Sequence, residues 1–268
     1  MIPRTRMSAR ASVATSSRSA MPVLAMSLIL AACAGSNASN EATNAAGKRD
    51  SAAMRNDAFE RFVEAYPADG ALGFSAWTER DTVAMLGRDV PEYTQFQRRY
   101  ARPSFGDGLI RFVGDDDVGA RGLPAFEWNG PGRWRTAWPG RPQLAVFAYD
   151  WLARQYALDA ARLSAGGEPL VSLLDPDDGA VLESEMTFRE LIELLAGSKG
   201  ERILDKRLYA TWRAAGGAAP GPRQCVAYKH PLVVGGKRTV ENMELGDMDV
   251  HLTLMAQHHE QLGAPMGR

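Results

Sequence analysis

The stretch from residue 144 to residue 195 places the strongest constraint on the fold, because strand, turn and helix signals follow one another in it. Residues 144–149 are apolar and predict a buried strand, and residues 154–158 predict its hairpin partner. Two further runs, at 169–174 and 180–185, flank the sequence Pro-Asp-Asp-Gly, in which aspartate bonds its own backbone and glycine accepts a positive φ. This pattern predicts a second hairpin.

Helix signals follow the hairpins. Thr187 and Glu190 stand three residues apart ahead of an apolar stripe, which is the pattern of a capping box. Residues 201–213 predict one further helix, which Gly216 stops. Asp247 is positioned to cap a terminal helix. The order of these elements predicts an α+β fold with a mostly antiparallel sheet flanked by helices.

The part of the chain before residue 140 gives weaker signals. A short helix is expected after Asn56 or Asp57, ending at Pro67. Residues 109–113 predict a strand, but no helical period is evident between residues 70 and 140.

The N-terminus has the pattern of an export signal. Four arginines and no acid precede the apolar run at 21–32, and small residues lead into Cys33. Residues 30–33, Leu-Ala-Ala-Cys, resemble a bacterial lipobox, which implies cleavage before Cys33 and acylation of its thiol. Residue 34 is alanine, not aspartate, so the resemblance implies a lipid anchor in the outer membrane, facing the periplasm.

Charge and composition exclude several classes of protein. The 268 residues carry a net charge of −1, which is no basic footprint for nucleic acid, and two cysteines cannot build a disulfide scaffold. Removing residues 1–32 removes four arginines and no acid, which leaves 27 basic and 32 acidic side chains. Cys225 is then the only cysteine beyond the anchor, and its place in a short apolar strand, away from a helix N-terminus, predicts that it is buried and not catalytic.

The chain therefore divides into four predicted parts. Residues 1–32 form the signal peptide, and residues 33–53, small and polar, form a flexible tether. Residues 54–140 form an irregular α+β portion, and residues 141–263 form the main domain.

Two stretches of that domain resemble a known family. The first runs from residue 144 to 159 and continues through 175–183 to Phe188; the second spans 225–236, then 240–245 and 247–250. Both resemble the SUKH-type immunity domains, in particular the C-terminal domain of type VI secretion DNase-immunity proteins. The resemblance covers roughly residues 140–262 and implies an α+β fold that binds and blocks a toxin without catalysis.

The matching residues are expected to support the scaffold. Asp150, Trp151 and Arg154 match the family's strand end. The family's C-terminal loop is matched by Lys229, Pro231, Gly235, Gly236 and Asn242. The sequence departs from the family pattern at Ala153, where glycine is expected, and at 233–234, where an aromatic residue is commoner. The relatives are cytoplasmic, whereas this chain carries an export signal. The partner is therefore either a toxin that arrives in the periplasm, or the domain has been reused as a surface-binding module.

The partner-binding residues are expected among the acids. Residues 150–195 hold ten acidic and three basic side chains, a field that attracts a cationic partner such as a basic toxin. The candidate binding residues are Asp175, Asp177, Asp178 and Glu183. No metal is expected, because the histidines at 251, 258 and 259 lack metal-site spacing. No cofactor and no nucleic acid are expected either. The alternatives are an envelope hydrolase that uses paired carboxylates and a structural lipoprotein that binds through the Trp-rich segment 126–138.

Overall fold

The computed structural model describes residues 58–72, 74–100, 104–114 and 124–263. The predicted signal peptide, Cys33, the tether and the caps expected at Asn56 or Asp57 lie outside these residues. Within them the chain forms eight α-helices and two antiparallel sheets, which confirms the predicted α+β class with a mostly antiparallel sheet.

The main sheet has six strands whose order in space follows their order in the chain. Its strands are β1 (Ser104–Phe105), β2 (Ile110–Phe112), β3 (Leu144–Asp150), β4 (Gln155–Leu163), β5 (Pro169–Asp175) and β6 (Ala180–Thr187). Every strand pairs antiparallel with the next along the chain. The connections are short except between β2 and β3, where residues 113–143 intervene. All seven residues of β3 are buried, as their apolar sequence predicts.

Eight helices accompany this sheet within the described ranges. They are α1 (58–65), α2 (Glu79–Leu86), α3 (Pro91–Tyr100), α4 (Ala125–Trp128), α5 (Phe188–Ala196), α6 (Gly200–Ile203), α7 (Lys206–Ala214) and α8 (Met248–Gln261). A second, two-stranded sheet is formed by β7 (Gln224–Tyr228) and β8 (Met243–Asp247). The amide of Val226 donates to the carbonyl of Trp151, which joins the small sheet to the end of β3.

The predicted capping box of α5 is present. The Thr187 hydroxyl accepts from the Glu190 amide, and the Glu190 carboxylate accepts from the Thr187 amide. The buried face of the helix is formed by Phe188, Leu191, Ile192 and Leu195, as the apolar stripe predicts. The terminal helix also begins as expected, since the Asp247 carboxylate accepts from the amide of Val250.

Two sequence predictions about helices are wrong. The stretch between residues 70 and 140, in which no helical period is evident from the sequence, contains α2, α3 and the short α4. The buried face of α3 includes polar Thr94 and Gln97 beside its aromatic residues, so the apolar period is interrupted. The single helix predicted over 201–213 is divided at Asp205, whose φ of 51° cannot continue a right-handed helix.

The hydrophobic core extends across the predicted boundary at residue 140. Phe59, Phe62 and Phe96 pack in one cluster with Phe147 of β3 and Phe188 of α5. The residues on the two sides of position 140 therefore share one core. The division into 54–140 and 141–263 stays a prediction.

Candidate functional site

A buried ion pair lies where β3 turns into β4. The Arg154 guanidinium donates to Oδ2 of Asp150 at 2.6 Å, and both side chains are almost fully buried. Oδ1 of Asp150 accepts from the backbone amides of Leu152 and Arg154. Burial raises the pKa of Asp150 to about 6, although Arg154 counteracts this effect. The pair has many hydrogen bonds, which is the arrangement a buried charge requires.

The ion pair continues outward as a chain of alternating charges. Arg154 also donates to Asp205 at 3.1 Å, and Asp205 accepts from Arg238 at 2.6 Å. We call Asp150, Arg154, Asp205 and Arg238 the charge network. The two arginines hold the Asp205 carboxylate where its left-handed backbone divides α6 from α7, so the helix break and the network are parts of one arrangement.

The residues that match the family's strand end therefore have structural contacts. Trp151 is buried, and its indole N–H donates to the carbonyl of Leu204 at 2.8 Å. Ala153 has a φ of 63° and is fully buried, which explains why a glycine suits this position. An alanine in this conformation adds backbone strain on the order of 1 kcal/mol.

The loop between β7 and β8 is held together by one amide side chain. Asn242 donates to the carbonyls of His230 and Lys237, and its Oδ1 accepts from the amide of His230. Lys229 donates through Nζ to the carbonyl of Glu241. Pro231 precedes a short 3₁₀ turn within the loop. We call residues 229–242 the β7–β8 loop; its fixed shape agrees with the expectation that these residues support the scaffold.

At two positions of this loop the backbone geometry favours glycine over residues that carry a Cβ. Gly235 has a φ of 96°, which side chains rarely adopt. A Cβ on Gly236 would lie 1.8 Å from the carbonyl oxygen of His230, closer than any real contact. Glycine is therefore favoured at Gly235 by its positive φ, and at Gly236 by the lack of room for a Cβ.

Three of the four candidate partner-binding acids meet on the turn between β5 and β6. We call residues 175–178 the acidic turn. The Asp175 carboxylate accepts from the amide of Asp177 at 3.0 Å, and Gly179 follows with a φ of 66°, as the turn sequence predicts. Asp178 is exposed, and the side chain of Asp177 is 11% exposed.

The three charges of the turn act on one another. Burial raises the pKa of Asp177 well above its ordinary value, and the carboxyls of Asp175 and Asp178 add to this effect. Partial burial and Asp175 raise the pKa of Asp178 to about 6. The guanidiniums of Arg154 and Arg238 oppose both shifts, so the acidic turn lies beside the outer part of the charge network.

Glu183 does not belong to this cluster. It lies on β6 opposite Ser172, and its carboxylate is 3.4 Å from Arg141 and 3.5 Å from Arg162. Its charge is therefore largely compensated, which removes the reason for counting it with the turn.

Helix α8 packs two histidines against the acidic turn. The ring of His259 donates from Nε2 to the carbonyl of Pro176 at 3.1 Å, and it lies so close to Gly179 that a Cβ there would be 2.9 Å away. His251 is 7% exposed, and its Nε2 lies 3.9 Å from Oδ1 of Asp177. Burial lowers the pKa of His251 to about 4, so its ring is neutral near pH 7.

Sequence reasoning assigned no part in the site to His251, Asp205 or Arg238. The spacing of His251 and His259 does place both on the buried face of α8. The approach of Arg238 to Asp205 spans 33 residues and has no local sequence signal.

The remaining candidates for a functional role are the Cys225 thiol, a metal site and a membrane-spanning helix. Cys225 is buried as expected, and burial raises the pKa of its thiol, which keeps it protonated. Within the described ranges no group of three or more His, Cys, Asp or Glu side chains could hold a metal ion. None of the helices in those ranges combines the length and the apolar character that a membrane crossing requires.

The comparisons with known proteins bear on the fold alone. The sequence matches no protein-family model and no curated protein. The structure is similar to the crystal structure of Atu4351 from Agrobacterium tumefaciens, with a TM-score of 0.51 and 15% sequence identity. The match covers 74% of this chain and 88% of the other. At this identity the likeness shows that the two chains share a fold.

Proposed function

We propose that the chain is a non-enzymatic binding protein that neutralises a cationic protein toxin while anchored by lipid to the bacterial envelope. The observation that carries this proposal is the acidic turn, where three acids meet and none of them is paired directly with a base among the described residues. In the described part of the chain, no lysine or arginine forms an ion pair with Asp175, Asp177 or Asp178.

Most other acids of residues 150–195 are already engaged. Asp150 binds Arg154, Glu193 binds Arg189, and Glu190 caps α5. The negative field of this region therefore concentrates on the acidic turn. Uncompensated charge on a firmly held turn favours rapid, charge-steered association with a basic partner.

The family resemblance supports the choice of an immunity-type role. Its matched residues have the buried and loop-forming contacts that a scaffold needs, around Arg154 and around Asn242. The anchor at Cys33, on the outer membrane facing the periplasm, belongs to the same proposal and rests on the N-terminal sequence.

The alternatives find less support in the geometry. A hydrolase with paired carboxylates needs two acids that face each other across a cleft. The three acids of the turn lie instead within four consecutive residues. A surface formed by the Trp-rich segment needs exposed rings, whereas Trp128, Trp134 and Trp138 are at most 1% exposed.

Co-expression with toxins from neighbouring genes tests the binding function. We expect the wild-type protein to restore growth and to form a complex whose affinity falls as salt is added, because surface charges are screened. Changing Asp175, Asp177 and Asp178 together to asparagine should abolish protection. The matched control changes Glu64, Glu244 and Glu260 to glutamine, which removes the same number of acidic side chains from exposed positions elsewhere and should preserve protection.

The outcome that contradicts the proposal is equal protection by the two triple variants, or no protection by the wild-type protein against any neighbouring toxin. The anchor is tested separately, by palmitate labelling of the wild-type chain and of Cys33→Ser. Labelling that survives the substitution would exclude Cys33 as the lipid site.

A further inference from the structure

Two buried polar atoms beneath the acidic turn, one a histidine nitrogen and one a carboxylate oxygen, have no hydrogen-bond partner. They are Nε2 of His251 and Oδ1 of Asp177, and the 3.9 Å between them is too long for a hydrogen bond. A buried polar atom left unpaired costs about 1–3 kcal/mol, so such atoms are rare in native proteins and require an explanation.

The surroundings of this pair favour a positive charge. Asp175 and Asp178 lie on the same turn, and both act electrostatically on Asp177. The guanidiniums of Arg154 and Arg238 also act electrostatically on Asp177, but they form their ion pairs with Asp150 and Asp205, not with the acids of the turn. His259 is already bonded to the carbonyl of Pro176 and fixes the position of the turn. The thiol of Cys225, from β7, is protonated and contributes no charge.

We infer that the acidic turn and His251 form a binding site for one ammonium or guanidinium group, the end of a lysine or arginine side chain on the partner protein. This inference rests on the proposed function, whose binding surface it makes specific. When the neutral His251 ring carries its proton on Nδ1, two N–H groups of one such cation can donate to His251 Nε2 and Asp177 Oδ1 together, and both cations carry enough donors. The carboxylates of Asp175 and Asp178 surround the charge.

The acidic turn is the more exposed side of the site. The Asp177 side chain is 11% exposed and Asp178 is exposed, whereas His251 is 7% exposed. The cation therefore enters along the carboxylates and meets His251 last. A metal ion fits this site less well, because the described residues contain no cluster of three metal-ligating side chains.

The experiment observes the histidine rings of the ¹⁵N-labelled protein by NMR at pH 7. The probes are n-butylammonium and methylguanidinium, and the control is tetramethylammonium, which has the same charge but no N–H donor. We expect a saturable shift of the His251 Nε2 signal, in the millimolar range, with the first two cations alone. The signal is assigned by its absence in His251→Gln.

Two variants locate the response. Asp177→Asn should weaken the binding at least tenfold, whereas Glu183→Gln, which removes an acid from β6, should leave it unchanged. An equal response to tetramethylammonium, a shift that never saturates, or full binding by Asp177→Asn would overturn the inference. Such a failure leaves the salt-dependent toxin complex intact, so it is distinguishable from a failure of the proposed function.

Discussion

The charge network and the acidic turn lie side by side, but the carboxylates of the network are paired with arginines and those of the turn are not. In the network each carboxylate binds an arginine, and the contacts run from the buried Asp150 to Arg238 at the surface. In the turn three carboxylates share four residues, and Asp177 keeps an unpaired oxygen.

This difference separates residues that hold the fold from residues that are open to a partner. A charge that is paired within the chain stabilises the folded state, so removing its partner should lower the free energy of unfolding. Uncompensated charges raise the free energy of the folded chain, and a partner that supplies the missing charge lowers it again.

Arg154→Met should give the largest loss of stability. The substitution removes the charge but keeps a long apolar side chain, and it leaves the Asp150 carboxylate buried without its arginine. We expect the free energy of unfolding to fall by about 3–5 kcal/mol, measured by urea denaturation at pH 7. The double variant Asp150→Asn with Arg154→Met, which removes both charges, should recover part of this loss. A loss below about 1 kcal/mol in the single variant would contradict the structural role of the network.

The second prediction concerns pH and His251. The pKa of this ring is about 4 in the folded chain and about 6.5 in the unfolded chain, so the unfolded chain binds more protons between these values. Its contribution to stability is therefore present above pH 6.5 and is lost as the pH falls towards 4. Asp150 and Asp178, whose pKa values are raised to about 6, and Asp177, whose pKa burial raises well above its ordinary value, contribute with the opposite sign.

A comparison of variants isolates the histidine. Between pH 6.5 and 4 we expect the wild-type protein to lose up to about 3 kcal/mol relative to His251→Gln, measured as the difference in urea unfolding free energy. His258→Gln, on the same helix but only half-buried, should track the wild-type protein. A constant difference across this pH range would show that His251 is not held neutral.

The parts of this fold that the sequence predicts are those with local causes. The capping box of α5 and the hairpin turn before Gly179 each arise within a few residues, and both are present. Helix α3 is missed because its buried face uses Gln97, whose amide donates to the carbonyl of Val113. A polar residue buried by a distant hydrogen bond breaks an apolar period without breaking the helix.

The site follows the same rule. The acidic turn is predictable, since its three aspartates are contiguous in the sequence. The split between α6 and α7 is not, because the backbone at Asp205 depends on arginines 51 and 33 residues away. Glu183 was grouped with the turn by its charge, and only the structure shows that Arg141 and Arg162 compensate it.

The third prediction compares the two glycines of the β7–β8 loop. Gly236→Ala should lower the free energy of unfolding by about 2 kcal/mol or more, because its Cβ would overlap the carbonyl of His230. Gly235→Ala meets no atom within 4 Å and should lose only about 1 kcal/mol, from its left-handed backbone. Thermal and urea unfolding of both variants measure the difference. Equal losses would mean that the loop moves to accommodate the side chain, contrary to its role as scaffold.

The smallest effect on stability is expected at the exposed end of the acidic turn. Asp178→Asn removes one of three neighbouring like charges without removing a hydrogen bond or an ion pair that the structure records. Because Asp178 is exposed, solvent screens the repulsion, and we expect the unfolding free energy at pH 7 to stay constant or to rise by at most about 0.5 kcal/mol. The same substitution should weaken the complex with a basic partner and reduce its dependence on salt, because one attracting charge is lost. Loss of stability without any change in partner affinity would place Asp178 with the charge network. The distinction between residues that stabilise the fold and residues that bind a partner would then fail at the most exposed acid of the turn.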